Sequence, residues 1–262
     1  MSVGAPAGRG SVITVCGGQG GCGATEVAAL LARALAARSK SVAAIDASEG
    51  EGPLGMLLGL DPDGPGERMA AWAQAVVDGP IGHPAVVEHM LAPTASGVHL
   101  VRGTAGLRWS LAEPALLGRI AQSLAAVRDW VVCDAPALPT AGAVGAWRAA
   151  DAVLLVSGPK PADLYRAHQT LAAIAAEGLR VRGLIVNAAH AEPLPAGEEV
   201  AAALEVPLLG VVPWDRALAS GPAQPALDGP FGCAVRAGLV SVAPGIAPPA
   251  RAWWRRHRRD AG

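Results

Sequence analysis

Nowhere in this 262-residue chain does a run of about eighteen apolar residues occur, the length a helix needs to cross a bilayer. The first ten residues are small and lack the apolar core of a signal peptide, so a cytoplasmic location is expected. Cysteine is scarce and unpaired in pattern. Cys16, Cys22, Cys133 and Cys233 form no C-x-x-C pair and sit mostly in apolar strand or loop contexts, which argues against a zinc site and against a disulfide framework. One Tyr and one Phe accompany seven Trp, while much of the 52% hydrophobic content is alanine. That balance suits Ala-rich helices packed on a sheet better than a β-sandwich. An excess of either charge is missing too: 21 Lys+Arg against 22 Asp+Glu leave a net charge of −1, with no global pull towards nucleic acid. Nucleic acid is not an expected partner.

What is present is glycine, concentrated in Gly17-Gly18-Gln19-Gly20-Gly21-Cys22-Gly23-Ala24-Thr25. An apolar, strand-like run at 12–16 precedes this stretch, and an Ala/Leu helical pattern at 26–37 follows it. Five glycines in nine positions allow the positive φ angles and close backbone approach that wrap N–H groups around an anion, and the helix N-terminus adds its dipole. The spacing G-x-x-x-x-G-K-[ST] is met at Gly18, Gly23 and Thr25, but Ala24 stands where the phosphate-binding lysine is required. The geometry of a phosphate loop is written here without its charge.

The stretch Gln19 to Thr25 resembles the deviant Walker A loop of the ParA/MinD family, K-G-G-x-G-K-[ST], with both lysines replaced, by Gln19 and Ala24. In that family the second lysine binds phosphates within its own subunit, and the first reaches across a nucleotide-sandwich dimer. Their joint loss resembles the degenerate branch that includes the TadZ/CpaE pilus-localisation proteins and the septum-site-determining protein Ssd. Charged hydrogen bonds to phosphate are worth about 1.5–3 kcal/mol, so losing one lysine should weaken nucleotide binding roughly 10- to 100-fold. Losing the cross-subunit lysine removes transition-state stabilisation on the scale of an arginine finger, about 10³–10⁵ in rate.

Two acids end apolar runs. Asp46 follows the strand-like segment 41–45, and Asp134 follows Trp130-Val131-Val132-Cys133 and opens Asp134-Ala135-Pro136. A carboxylate at the C-terminal end of a strand beside a phosphate loop lies where open parallel sheets bind ligands. Asp46 matches the first acid of the family's D-x-D pair, which helps organise magnesium and the attacking water; Ser48 replaces the second acid. Asp134 matches the Walker B element D-x-P. With Thr25 they form the implied magnesium set, although strand-end aspartates also cap turns. Asn187 ends the strand pattern 181–187 and resembles the family's adenine-contacting asparagine; Pro213 and Asp215 resemble the P-x-D turn flanking the base. An amide offers the donor and acceptor an adenine edge needs, but strand ends also favour Asn for turn formation. His83 and His89 lack metal-ligand spacing and read as surface or packing residues.

Strand patterns alternating with helical ones (68–77, 85–91, 113–127, 162–177, 231–240) predict an α/β fold. Its sheet should be doubly wound and mainly parallel, with helices on both faces. The expected organisation is a flexible 1–10, a P-loop domain over 11–240, and a Pro-rich, basic tail over 241–262. Taken together, the resemblance implies a pseudo-ATPase that binds ATP or ADP with magnesium weakly or not at all. It would be a homodimer serving as a localisation or scaffold protein, with protein partners in a Tad-type pilus or secretion apparatus or in the division septum. The alternative is a working ATPase cycling on DNA or membrane. Paired tryptophans and five arginines within 251–259 suit an anionic headgroup surface, so peripheral contact at the inner face of the membrane is a further expectation.

Overall fold

The computed structural model describes residues 9–38, 40–47, 52–78, 84–103, 115–137, 139–188, 197–213 and 226–243. The element at its centre is β1 (Ser11–Gly17), buried along its whole length, and its residues Ser-Val-Ile-Thr-Val-Cys-Gly explain why. A strand covered on both faces needs apolar residues at consecutive positions rather than alternation. Val12 and Cys16 face one hydrophobic cluster, Ile13 and Val15 the other. The polar Thr14 is accommodated because its hydroxyl donates to the Ala146 carbonyl at 2.8 Å.

From β1 the chain forms α1 (Ala24–Ala36), β2 (Val42–Asp46), α2 (Leu54–Leu58), α3 (Met69–Asp78), α4 (Pro84–Met90), β3 (Ala92–Pro93) and β4 (His99–Val101). It continues through α5 (Ala115–Ala125), β5 (Trp130–Ala135), α6 (Ala141–Ala149), β6 (Ala152–Ser157) and α7 (Pro161–Ala176). β7 (Val181–Ala188), α8 (Gly197–Leu204), β8 (Leu208–Pro213) and α9 (Pro230–Leu239) complete it. The eight strands order as β3-β4-β2-β5-β1-β6-β7-β8. All neighbours are parallel except β3 and β4. Residues of α1, α2 and α9 bury against one face, and those of α3 to α8 against the other. The expected doubly wound α/β sheet is therefore what forms.

The departures from the sequence reading are local. The antiparallel edge strand β3 is too short to leave a periodic signal, and it is set by pairing of Ala92 with Leu100. Helix α6 leaves little signal in the sequence, because the glycines and valine of Ala141-Gly142-Ala143-Val144-Gly145 carry poor intrinsic propensity. Thr140 starts it by accepting the Ala143 N–H, and Trp147 buries completely. The apolar face of α9 (Phe231, Val235, Leu239) is buried in the same cluster as α1, and burial continues through Val242 and Ala243.

The strand order places the ligand crevice. β1 connects through α1 to β2 on one side, while β6 lies on its other side, so the direction of winding reverses around β1. Open parallel sheets bind ligands at the carboxyl ends of strands at such a reversal. Among the described residues no helix is long and apolar enough to cross a membrane.

Candidate functional site

The glycine-rich turn joins the end of β1 to the start of α1, in the crevice that the topology selects. Gly23, the residue before α1, has φ 91° and lies in the left-handed region that L side chains rarely adopt. Gly18 is required for a different reason: a Cβ there would come within 3.0 Å of the main chain of Ala167 on α7. Its N–H donates to the Val156 carbonyl at 2.9 Å, which seats the loop against the end of β6. Gly20 and Gly21 form an exposed rim with open space above it. Cys22 is buried beneath the loop, and burial pushes its thiol pKa up. Cys16 and Cys133 are pushed up to about 12 by burial, so neither supplies a thiolate at neutral pH.

Asp46 and Asp134 end adjacent strands and are register partners across β2 and β5. They are 2% and 6% exposed. Burial, and then the charge of Asp46, raise the Asp134 pKa to about 8; a hydrogen bond from Thr25 in the first turn of α1 acts in the opposite direction. Two neighbouring buried carboxylates and a threonine hydroxyl are hard oxygen donors, and their mutual repulsion is what a divalent cation relieves. The donor set fits magnesium. In such a site Asp46, Asp134 and Thr25 would hold the ion directly or through its waters, and the ion would neutralise phosphate charge.

The amide of Asn187, at the end of β7, donates to the Cys22 carbonyl at 2.9 Å and packs against Gly23. It fastens the loop to the neighbouring part of the sheet. Pro213 ends β8 opposite Ala188, one strand further along, whereas Asp215, Ser48, His83 and the tail 251–259 lie outside the described residues. His89 is exposed on α4.

Ala24 brings no charge to the loop, and Gln19 is held within its own chain. The Gln19 amide donates to one oxygen of Asp163, whose other oxygen accepts the Lys160 N–H at 3.1 Å. Asp163 is only 7% exposed. Sequence reasoning missed it, although the signal was there: Asp163 is the third residue of α7, where an acid folds back onto the N–H preceding the helix.

Because Gly23 combines a left-handed φ with contact against Asn187, Gly23→Ala both strains the start of α1 and evicts the amide from Cys22. A loss of about 1–3 kcal/mol in unfolding free energy is expected by urea denaturation. An unchanged midpoint would show that the loop relaxes without cost.

A glycine loop between a central strand and its helix, with acids closing the neighbouring strands, gives the fold of the P-loop NTPases. Residues 13–225 match the CobQ/CobB/MinD/ParA nucleotide binding domain, and the chain belongs to that family. It is 29% identical over 209 residues to an uncharacterized ATP-binding protein of Methanocaldococcus jannaschii, covering 78% of this chain and 74% of that protein. It is 27% identical over 211 residues to the septum site-determining protein MinD of Synechocystis, covering 78% and 76%. Among solved structures, MinD from Pyrococcus horikoshii complexed with Mg-ADP superposes with a TM-score of 0.69 at 24% identity, over 91% of this chain and 94% of that one.

Proposed function

We propose that this protein is a ParA/MinD-type positioning or scaffold protein that retains the nucleotide fold but has lost fast hydrolysis. It would be of the functional type of the degenerate TadZ/CpaE and Ssd branch. It would serve a Tad-type pilus or secretion apparatus or septum-site determination, working as a homodimer with protein partners. The observation that carries the reading is the fate of the two lysine positions: Ala24 is neutral, and Gln19 is bonded in its own chain to Asp163. The similarity to MinD and to an ATP-binding protein supports a nucleotide ligand. ATP or ADP with magnesium would sit on the loop from Gly18 to Thr25, with Asn187, Pro213 and Asp215 on the base side. The basic tail 251–259 is proposed to add peripheral contact with anionic membrane.

The test is ATP turnover by the purified full-length chain. Release of phosphate slower than about one per minute is expected, against ~1–10³ per second for ordinary enzymes. A faster rate that disappears in Asp134→Ala would overturn the pseudo-enzyme reading in favour of a working ATPase.

A further inference from the structure

The basic residues of this chain are almost all arginine: of 21 Lys+Arg only two are lysine, Lys40 and Lys160. Lys40 is exposed just before β2, at the amino-terminal edge of the sheet and away from the crevice. Lys160 follows β6, at the carboxyl edge, where the glycine loop and both strand-end acids lie. One of two lysines thus stands beside the loop that has lost its own.

The main chain fixes where its stem begins. Lys160 has φ −75° and ψ 152°, followed by Pro161 as the first residue of α7. Its N–H is bonded to the carboxylate of Asp163 that also accepts Gln19, so residue 160 and loop residue 19 hang from one group. α7 is pressed against Gly18 at Ala167, and Gly18 is bonded to Val156 of β6, so the turn carrying Lys160 is tied to the loop from two directions. Asp163 already accepts from Gln19 and from the Lys160 main chain, and no ion pair to the Lys160 ammonium is present among the described residues. Lys160 is half-buried, and the space above Gly20 and Gly21 is open.

The local charge asks for a cation. Asp46 flanks the loop, Glu26 is in the first turn of α1, and Asp163 closes the other side. A polyphosphate entering this ring meets N–H dipoles but no positive side chain from Ala24 or Gln19. Lysine suits the vacant role better than arginine here. Its ammonium is a compact charge on a flexible four-carbon stem that can swing over a loop, whereas guanidinium needs a planar, bidentate seat.

We propose that Lys160 is a relocated phosphate-binding lysine, supplying from the turn after β6 the charge that the loop positions 19 and 24 no longer carry. The proposal rests on the nucleotide reading given above and names the side chain on which phosphate recognition depends.

Calorimetric titration of the full-length chain with Mg-ATP tests it, using Lys160→Ala, the near-isosteric Lys160→Met, Lys40→Ala, and Lys160→Ala combined with Ala24→Lys. Lys160→Ala and Lys160→Met are expected to weaken binding about 10- to 100-fold, Lys40→Ala to leave it unchanged, and the added Ala24→Lys to restore it. Reductive ¹³C-methylation keeps the charge and labels both lysines and the amino terminus. The Lys160 resonance, assigned by its loss in Lys160→Met, should shift on adding Mg-ATP while that of Lys40 stays. Wild-type protein that binds Mg-ATP, with folded Lys160 variants binding equally well, would overturn the role of Lys160 and leave nucleotide binding intact. No binding by the wild type at millimolar Mg-ATP, with an unmoved resonance, would overturn both.

Discussion

Replacing Ala24 with lysine is expected to tighten ATP binding by roughly 10- to 100-fold, and adding Gln19→Lys to raise turnover by as much as about 10³–10⁵. The first step should succeed because the backbone that a phosphate lysine works with is already built. Gly23 holds its left-handed turn, Gly18 is seated on Val156, and Asn187 fastens Cys22. Ala24 opens α1, so a longer side chain there starts from the same place as the missing one. The second step depends on two copies meeting across the nucleotide. In the structure Gln19 is occupied by Asp163, and a lysine at 19 must exchange that partner for phosphate of the other subunit. Titration calorimetry reads the first effect; phosphate release and sedimentation velocity with ATP read the second. Unchanged affinity when Ala24→Lys is added to folded Lys160→Ala protein would mean that the loop is not a phosphate cradle at all.

Asp134→Asn is expected to stabilise the protein increasingly as pH rises from about 4 to about 8. The folded Asp134 pKa is raised to about 8, by burial first and the Asp46 charge second, whereas an unfolded aspartate titrates near 3.9. Between those values the folded chain holds a proton that the unfolded chain has released, so raising pH favours unfolding. The stabilising protonation is complete below about pH 4 and is lost through about pH 8, at about 1.4 kcal/mol per pH unit. Asparagine keeps the shape and cannot ionise, so the difference between variant and wild type should grow at that slope. Urea denaturation at about pH 5 and about pH 8 measures it. Parallel stabilities at the two pH values would show that Asp134 is ionised throughout. By the same linkage, magnesium bound between Asp46 and Asp134 must displace the proton, so magnesium affinity should rise with pH over the same window.

Both predictions begin in features that local sequence carries. Val12 to Cys16 is mostly apolar at successive positions because β1 is buried on both faces, and Gly21 and Gly23 are demanded by the left-handed backbone of the turn that follows. The same holds for the apolar runs delivering Asp46 and Asp134, and for the Ala/Leu pattern of α1. Those elements, their alternation and the resulting α/β class were legible from residue type and period alone. The replacement of both lysines was legible too, since a motif departs from its pattern residue by residue.

Only the tertiary structure decided which of these residues meet. β5 enters the sheet between β1 and β2, and that insertion makes Asp46 and Asp134 register partners and lifts the Asp134 pKa. β6 on the far side of β1 brings α7 against Gly18, gives Gln19 its partner in Asp163, and sets Lys160 at the loop. β7, one strand further out, turns the Asn187 amide onto the Cys22 carbonyl. Strand order is not a local property: it follows from crossovers and packing over the whole chain, so sequence specified the parts of this site and the sheet alone specified their neighbours.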